Sequence, residues 1–488
     1  MSDGDVEASA LLAARRAKLE RLRAEGVDPF PHDFDGVEAI ESVLAAHEGL
    51  KDGEETTVSH RVAGRLAARR DSGKAAFLDL VDRSGRIQLH ARVDELGEQA
   101  FERLLSLDIG DLLGVDGVAI RTRRGQLSLR VTAFTLLAKS LRPPPDDYHG
   151  LSDVETRFRR RELDLIANPE TRELFVARAA IISAVRRSLD DDGFIEVETP
   201  VLQPLYGGAA ARPFLTHHNA LDRTLYLRIA TELYLKRAIV GGLERVYELG
   251  KDFRNEGLSP KHNPEFTMVE WYEAYADYED AAARLEKVVA AAAAAVAEPA
   301  VDFSAPWRRV TLAGAIAEQT GIDVLAERSR EALVAAIEAR GLSVATDGRS
   351  WAGTVDELLS SFVEPTLQQP TFVFDYPVEL SPLAKAHRSK PGLVERWEAY
   401  AGGIEISNAF SELNDPDEQR ERFLALHRDG TDAESDEAPP LDEAFLAALE
   451  QGMPPTAGVG LGIDRLVMLL CGRRAIREVV LFPAMRDA

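Results

Sequence analysis

A charged strand–loop–strand segment, FRNEGLSPKHNPEFTMVEWY at residues 253–272, constrains the fold of this chain more than any other feature. Its centre is rich in Gly, Ser, Pro and Asn, which form turns, so we expect extended chain on both sides of it. Because side chains alternate along a strand, one face of the second strand is shared by Phe266, Met268, Glu270 and Tyr272. Carboxylates on a buried face are costly unless a cation pairs with them, so the segment predicts a sheet that carries a ligand site.

A second charged strand is predicted within GGIEISNAFSELNDP, residues 402–416. Alternation places Asn408, Phe410 and Glu412 on one face of it, and Glu405 lies near its start. Carboxylates without neighbouring cysteine or histidine suit a hard cation such as magnesium better than zinc.

The run GVGLGIDRLVML (458–469) leads a glycine-rich stretch into a helix that we expect to begin after Arg465. Glycine permits close approach of a ligand to the backbone, and arginine suits phosphate. The run is not a Walker loop, because no Gly-Lys-Ser/Thr follows, and its GxGxG spacing is not the dinucleotide fingerprint. Paired carboxylates also occur in glycosidases, but the Arg, Gly and Asn residues around them fit phosphate chemistry better.

Residues 56–142 consist largely of short runs of period two separated by turn sequences such as DSGK and RSGR, which predicts a small barrel. In AAFLDLVD (75–82), Phe77 lies on the polar face, where its ring can stack on a nucleic-acid base or be covered by a loop. In GRIQLHARV the polar face holds Gln88 and His90. The strand pattern alone leaves nucleic-acid binding and simple packing open.

The chain divides into four predicted parts: an N-terminal helical extension at 1–55, the barrel at 56–142, a linker at 143–160, and a large mixed part at 161–488 with a helical insertion at about 299–365. We expect an acidic loop at 429–440. The extension has a basic helix face formed by Arg15, Arg16, Lys18, Arg21 and Arg23. This face is either solvated or in contact with RNA.

The amino-acid composition is that of a globular protein. We expect the protein to be cytoplasmic. The net charge of −24 argues against non-specific nucleic-acid binding, which needs a broad positive surface, although local basic patches can still hold a specific RNA. The one cysteine, Cys471, excludes an intramolecular disulfide and a cysteine-based zinc site. The start of the chain lacks the apolar stretch of a secretory signal, and no apolar run is long enough to span a bilayer.

Three stretches resemble, in the same order, motifs 1, 2 and 3 of the class II aminoacyl-tRNA synthetases: GFIEVETP (193–200), FRNE (253–256) and GLGIDRL (460–466). From about residue 55 onward the chain resembles the lysyl-tRNA synthetases of subclass IIb. This narrower resemblance is carried by stretches such as LRIATELYLKR (227–237), NAFSELNDP (408–416) and MPPTAGVGLGIDR (453–465). It implies an α+β fold, in which an N-terminal OB-fold β-barrel precedes a class II catalytic domain with an antiparallel sheet of six or seven strands flanked by helices.

For the substrate lysine, the resemblance implies that Gly208 and Glu232 bind the α-amino group and that Arg254 lies on the carboxylate side. A buried ammonium needs acceptors, which carboxylates and a phenol can supply. The implied acceptors of the ε-ammonium are Glu270, Tyr272 and Glu412. The implied lysine site is completed by Ala230, Asn408, Phe410 and Gly460.

For ATP, the resemblance implies that Phe266 stacks on adenine, while Arg254 and Arg465 hold the α- and γ-phosphates. The other implied ATP residues are Glu256, His262, Asn263 and Glu405. The implied catalytic residues are Arg254, Glu256 and Arg465, and the implied Mg²⁺ ligands are Glu398 and Glu405. The implied reaction, attack of the lysine carboxylate on the α-phosphate, depends on positioning and charge stabilisation and needs no protein nucleophile.

The resemblance also implies the partners tRNA(Lys), L-lysine, ATP and a second copy of the chain, with no membrane. The implied anticodon-binding residues are Arg65, Phe77 and Gln88. Motif 1 implies a homodimer, and we expect an exposed apolar stripe at 174–189 to contribute to it.

Three alternatives are weighed against this interpretation. A synthetase for aspartate or asparagine needs Arg or Lys where this chain has Glu232, Glu270 and Glu412. The truncated paralogue that lysylates elongation factor P lacks the barrel predicted here. A non-catalytic tRNA-binding relative is disfavoured by the intact Arg254 and Arg465, and only an activity measurement excludes it.

Overall fold

The alternating runs near the N-terminus close into a barrel with strand order β1-β2-β3-β5-β4. The computed structural model describes residues 3–145, 151–429 and 440–486, and the chain separates into two units, residues 1–172 and 173–488. The strands of the first unit are β1 (Glu55–Ser72), β2 (Ala75–Val81), β3 (Arg86–Arg92), β4 (Leu112–Arg121) and β5 (Leu127–Ala138). Its helices are α1 (Asp3–Ala24), α2 (Ile40–Ala46), α3 (Val93–Leu96), α4 (Glu98–Ser106), α5 (Val154–Arg159) and α6 (Arg161–Ala167).

The core of the barrel follows the predicted alternation. On β2 every second residue is buried, including Leu78 and Leu80, while Phe77 lies on the opposite face. Two residues of the basic face of α1 contact the rest of this unit, while Arg16, Arg21 and Arg23 are exposed. Arg15 donates to the carbonyl oxygen of Ile109 at 3.1 Å, and Lys18 forms an ion pair with Asp108 at 2.5 Å.

The second unit is built on a sheet with strand order β12-β13-β14-β15-β16-β11-β10-β6, plus a small sheet β7-β9-β8. The strands are β6 (Ile195–Glu196), β7 (Leu202–Gln203), β8 (Leu215–His218), β9 (Arg223–Leu227), β10 (Arg245–Phe253), β11 (Glu265–Ala274), β12 (Arg308–Thr311), β13 (Thr371–Phe374), β14 (Arg396–Ala401), β15 (Ile404–Ser411) and β16 (Thr456–Gly462). The helices are α7 (Pro169–Asp191, which begins at the end of the first unit), α8 (Glu232–Val240), α9 (Tyr278–Ala293), α10 (Leu312–Thr320), α11 (Arg330–Ala339), α12 (Trp351–Leu358), α13 (Pro416–Asp429), α14 (Glu443–Leu449), α15 (Ile463–Leu470) and α16 (Ile476–Val479).

The two faces of the central sheet have different environments. Val269 and Trp271 of β11 lie in an apolar core with residues of α7, α9 and α15. The alternate residues of the same strand, among them Glu270 and Tyr272, face a cavity. The period of two therefore separates a packing face from a polar face, as the sequence predicts.

The structure differs from the sequence-based expectations in four places. The sheet is mostly antiparallel, as expected, but it has eight strands in the described residues instead of six or seven, and the pairs β12–β13 and β6–β10 are parallel. The segment 299–365 is not helical throughout, because it contains β12. Helix α15 begins at Ile463, so Arg465 lies in its first turn and not before it.

The fourth difference concerns α7. The apolar stripe expected to be exposed at 174–189 packs into the core of its own chain, with Leu174, Ile181, Val185 and Leu189 buried. Parts of two predicted segments, 146–150 of the linker and 430–439 of the acidic loop, lie outside the described residues. Across residues 3–145, 151–429 and 440–486, no helix is long and apolar enough to cross a bilayer.

Candidate active site

One cavity of about 320 Å³ on the polar face of the central sheet brings together all the residues predicted for the lysine, ATP and magnesium sites. They come from loops, from α8, from the hairpin β10–β11 and from β14, β15, β16 and α15. The predicted residues that line it are Gly208, Ala230, Glu232, Arg254, Glu256, His262, Asn263, Phe266, Glu270, Tyr272, Glu398, Glu405, Asn408, Phe410, Glu412, Gly460 and Arg465. Segments up to about 250 residues apart in sequence thus converge on one site.

The glycines of β16 form the floor of this cavity. Gly458 pairs with Tyr272 of β11 on one side and with Phe410 of β15 on the other. A Cβ atom on Gly458 would clash with Glu412 Oε1 and with the ring of Tyr272. Glycine at this position is therefore what leaves room for the two polar groups, although the sequence indicated only close backbone approach.

Three buried carboxylates give one end of the cavity its anionic character. Glu232 and Glu270 are each 6% exposed, and Glu412 is 1% exposed. Glu270 accepts a hydrogen bond from the Tyr272 hydroxyl at 3.2 Å. The carboxylate of Glu412 is paired with the buried ammonium of Lys236. Because three buried carboxylates share one ammonium, this end of the cavity favours a further cationic group.

The pKa values of these carboxyl groups reflect their burial and the closeness of other charged groups. Burial, with the neighbouring charges of Asp252 and Glu232, raises the pKa of Glu270 to about 8. Burial also raises the pKa of Glu232, against the opposing effect of Lys236. An added ammonium would offset both the desolvation and the mutual repulsion, and it would favour the ionised carboxylates.

Lys236, which was not among the residues predicted from the sequence, lies beneath this anionic end. Its side chain is fully buried, and its Nζ donates to Glu232 Oε1 at 2.6 Å and forms an ion pair with Glu412. Burial alone would lower the pKa of Lys236, but Glu232 and Glu412 raise it, so the side chain is an ammonium. The stretch LRIATELYLKR already indicated the Glu232–Lys236 ion pair, because residues four positions apart on a helix face each other.

The second missed residue is Arg396 on β14, which also lines the cavity. Its guanidinium donates to Asn408 Oδ1 at 3.0 Å and to the carbonyl oxygen of Leu380 at 2.7 Å. It also contacts the carboxylate of Glu398. Strand alternation could have found it, because residues 396 and 398 share a face.

The two predicted phosphate-binding arginines lie on the cavity wall. The Arg254 guanidinium lies 5.1 Å from the centre of the Phe266 ring, and its Nε has no hydrogen-bond partner in the described chain. Arg465 donates to Glu405 Oε2 at 3.0 Å and contacts His262 Nε2 at 3.3 Å. Burial and the charge of Arg465 lower the pKa of His262, so the neutral ring can accept from the guanidinium.

Arg465 is held in place through its neighbour in the first turn of α15. The buried carboxylate of Asp464 accepts a hydrogen bond from the Thr267 amide at 2.7 Å and forms an ion pair with Arg178 at 2.7 Å. These contacts tie the start of α15 to β11 and α7. The position of Arg465 therefore depends on contacts between α15, β11 and α7, and not on the glycine run alone.

Two of the predicted ATP residues have different positions on the loop between β10 and β11. Glu256 is exposed at the wall of the cavity. Asn263 is buried, and its side chain binds the backbone of Glu265 at 2.6 Å and of Ala484 at 3.3 Å. The amide of Asn263 therefore fixes the shape of the loop.

The two predicted magnesium ligands lie on adjacent strands, where Glu398 pairs with Asn408 and Glu405 with Tyr400. An irregularity in this pairing, near Ala399, brings Glu405 to the cavity although strict alternation from Asn408 would point it away. No group of three or more His, Cys, Asp or Glu side chains in the described ranges could hold a metal alone. Two carboxylates fit Mg²⁺, which keeps several waters and takes further ligands from phosphates.

On the barrel, the predicted anticodon residues share a face with His90. The rings of Phe77 and His90 are stacked, with centres 4.8 Å apart and planes 3° from parallel. Gln88 accepts from the Ser128 hydroxyl at 3.0 Å, and Arg65 donates to the carbonyl oxygen of Gly110 at 2.7 Å. These hydrogen bonds orient the two polar side chains, while the ring pair forms a flat surface of the kind on which bases stack.

Comparison with known proteins identifies the class to which this fold and site belong. Residues 153–486 match the family model described as tRNA synthetases class II (D, K and N), and residues 60–137 match the OB-fold nucleic acid binding domain. The chain belongs to the class II tRNA synthetases, in the group that contains the lysine--tRNA ligases. It is 52% identical to the Lysine--tRNA ligase of Roseiflexus castenholzii over 99% of both chains. It is also 48% identical to the Lysine--tRNA ligase of Bacillus subtilis, over 98% of this chain and 97% of that one.

Proposed function

We propose that the chain is a lysine--tRNA ligase, which activates L-lysine with ATP to lysyl-adenylate and transfers the lysyl group to the 3′ end of tRNA(Lys). The observation that carries this proposal is the anionic end of the cavity, where three buried carboxylates share the one buried ammonium of Lys236, together with Arg254 and Arg465 on the cavity wall. An acidic substrate such as aspartate would be repelled there. The barrel distinguishes the chain from the truncated paralogue considered above.

The proposed lysine site uses both ends of the substrate. Glu232, with Gly208 beside it, accepts the α-ammonium, and Arg254 lies on the side of the carboxylate. The ε-ammonium enters between Glu270, Tyr272 and Glu412. The walls around the substrate are Ala230, Asn408, Phe410 and Gly460. Neutral analogues are rejected because they would leave buried carboxylates unpaired.

Activation is proposed to proceed by attack of a lysine carboxylate oxygen on the α-phosphorus of ATP, with loss of pyrophosphate. Phe266 stacks on adenine, Arg254 stabilises the charge that develops on the α-phosphate, and Arg465 holds the γ-phosphate. Glu256, His262, Asn263 and Glu405 complete the ATP site. Mg²⁺, held by Glu398 and Glu405, would neutralise the pyrophosphate when bound.

The direct test is ATP–pyrophosphate exchange with each standard amino acid in the presence of Mg²⁺. We expect exchange with lysine and its loss when the metal is chelated. Exchange with a different amino acid would keep the class and overturn the substrate. An absence of exchange with every amino acid would identify a non-catalytic relative.

Lysine binding is expected to depend on pH because of Glu270. Below about pH 8 this carboxyl is mostly protonated in the empty pocket, and the ε-ammonium favours its ionised form. Raising the pH from about 6.5 to 8.5 should therefore lower the KM for lysine by roughly tenfold, and binding at pH 7 should release a proton. Calorimetry in buffers of different ionisation enthalpy measures that proton. Heats that do not vary with the buffer, or that vary equally in Glu270→Gln, would contradict this assignment.

The tRNA partner is proposed to place its anticodon on the barrel against Arg65, Phe77 and Gln88. Phe77→Ala should weaken tRNA(Lys) binding by about 1–3 kcal/mol, the usual contribution of one stacked base. Exchange without tRNA should be unchanged, because the catalytic site lies in the other unit. Phe30→Ala, which removes an exposed ring elsewhere in the same unit, is the control. Equal tRNA affinity of the two variants would argue against the anticodon assignment.

A homodimer is proposed on the resemblance of motif 1 and on apolar side chains exposed around it. With the stripe on α7 buried, the large apolar residues exposed between positions 176 and 221 are Val176, Ile195, Val201, Leu202, Leu205, Leu215 and Leu221. Apolar groups gathered in one region commonly mark an interface. Sedimentation at micromolar concentration should give twice the mass of the chain, and a monomer would contradict the proposal.

We propose that the protein is cytoplasmic. We also propose that its domains are residues 1–55, 56–142, 143–160 and 161–488.

A further inference from the structure

Lys236 joins groups from helix α8 and from the end of strand β15 at the bottom of the anionic end. Its Nζ bonds to Glu232 on its own helix α8, pairs with Glu412 just after β15, and lies 5.5 Å from the centre of the Phe410 ring on β15. The side chain is 0% exposed and does not line the cavity. It therefore acts on any ligand only through the groups that it holds.

The two carboxylates that Lys236 holds belong to opposite ends of the proposed lysine site. Glu232 is assigned to the α-ammonium, and Glu412 to the ε-ammonium. A single buried ammonium that contacts both fixes the separation between them. A change in that separation should change the side-chain length that the site accepts, and side-chain length distinguishes lysine from ornithine, which is one methylene shorter.

Charge balance supports the same role. Lys236 neutralises one of the three carboxylates Glu232, Glu270 and Glu412, and a bound lysine brings two ammonium groups for the remaining two. The other charged or titratable groups nearby are Tyr272 of β11, Asp252 of β10, whose carboxylate pairs with Arg228 at 3.1 Å, and Arg396 of β14, which contacts Glu398. Without Lys236 the same pocket would hold three carboxylates for two cations.

We infer that Lys236 is a positioning residue that sets the side-chain length accepted by the site, by holding Glu232 and Glu412 at a fixed distance. This inference rests on the proposed function, because it presupposes that the two carboxylates bind the two ends of lysine. It adds a specificity determinant that never touches the substrate.

The test compares Lys236→Met with Arg237→Met in ATP–pyrophosphate exchange with lysine and with ornithine. Both variants replace a cation by a thioether on adjacent residues of α8, but Arg237 is exposed. Lys236→Met should lower the lysine-to-ornithine ratio of kcat/KM by at least about tenfold, the discrimination typical of one methylene, mainly through KM for lysine. Arg237→Met should keep the ratio of the wild type.

Each outcome decides the inference. If a folded Lys236→Met variant loses activity equally toward both amino acids, Lys236 has only a structural role. That result would overturn the inference. If that variant does not fold, Lys236→Arg keeps the charge but changes the spacing of the carboxylates, and the ratio must still shift by several-fold. An unchanged ratio there also overturns the inference. Absence of lysine exchange in the wild type would instead reject the proposed function.

Discussion

Glu412→Gln is expected to lower kcat/KM for lysine in pyrophosphate exchange by about 30- to 5,000-fold, chiefly by raising KM. Glutamine keeps the shape of the side chain but removes the charge proposed to face the ε-ammonium. Removal of one partner of a buried charge pair costs roughly 2–5 kcal/mol, because the remaining charge stays desolvated. The effect should be large because Glu412 is 1% exposed and water cannot replace it.

The change at Glu412 also affects Lys236, which would keep only Glu232 as an anionic partner. Thermal unfolding should therefore be measured with the kinetics, so that lost stability is not mistaken for lost binding. Glu450→Gln, an exposed carboxylate on the same unit, is the matched control and should behave as the wild type. A folded Glu412→Gln variant with an unchanged KM for lysine would contradict the assignment of the pocket.

Arg254→Ala is expected to lower kcat by about 10²- to 10³-fold, the usual effect of removing one donor that stabilises transition-state charge. The Arg254 guanidinium lies against the ring of Phe266, which positions it. Its Nε has no hydrogen-bond partner in the described chain and can therefore donate to a ligand. Arg254→Lys should recover only a small part of kcat, because an ammonium cannot donate two parallel hydrogen bonds to phosphate.

The control for Arg254 is Lys251→Ala. Strand alternation along β10 places Lys251 on the opposite face from Asp252, and its side chain does not line the cavity. Pre-steady-state measurement of adenylate formation separates chemistry from product release. A variant Arg254→Ala with normal adenylate formation but raised KM for ATP would assign this arginine to binding alone.

The two substitutions should separate the two halves of the site. Glu412 is proposed to recognise the lysine side chain, so its loss is expected mainly in KM for lysine. Arg254 is proposed to act on the reacting phosphate, so its loss is expected mainly in kcat. Opposite results would exchange the roles of the two residues without changing the site.

Much of the site could be predicted from the sequence because it depends on local geometry. Side chains alternate along any strand, so Glu270 and Tyr272 had to share a face, with Trp271 on the other, once the segment was extended. The turn-forming residues of GLSPKHNP fixed where the hairpin reverses, and β10 and β11 pair on either side of that segment. The motif resemblance then joined segments that no local argument connects.

Other features depended on contacts between distant segments. Glu405 faces the cavity only because the pairing of β14 and β15 is irregular near Ala399, which alternation does not predict. Lys236 was overlooked because its second partner, Glu412, is far away in sequence. The apolar stripe on α7 could equally have served an outer interface, and packing against α9 and α15 buried it within the chain.

The sequence by itself determined which residues share a strand face, where the chain turns and which family it resembles, because backbone geometry imposes these patterns locally. Only the tertiary structure decided that Gly458 must lack a Cβ atom, that Asp464 anchors the first turn of α15 beside Arg465, and that the buried Lys236 links Glu232 to Glu412. These features arise where segments from different parts of the chain approach within hydrogen-bonding distance. Packing and charge balance across the whole sheet set that approach, and no local pattern encodes it.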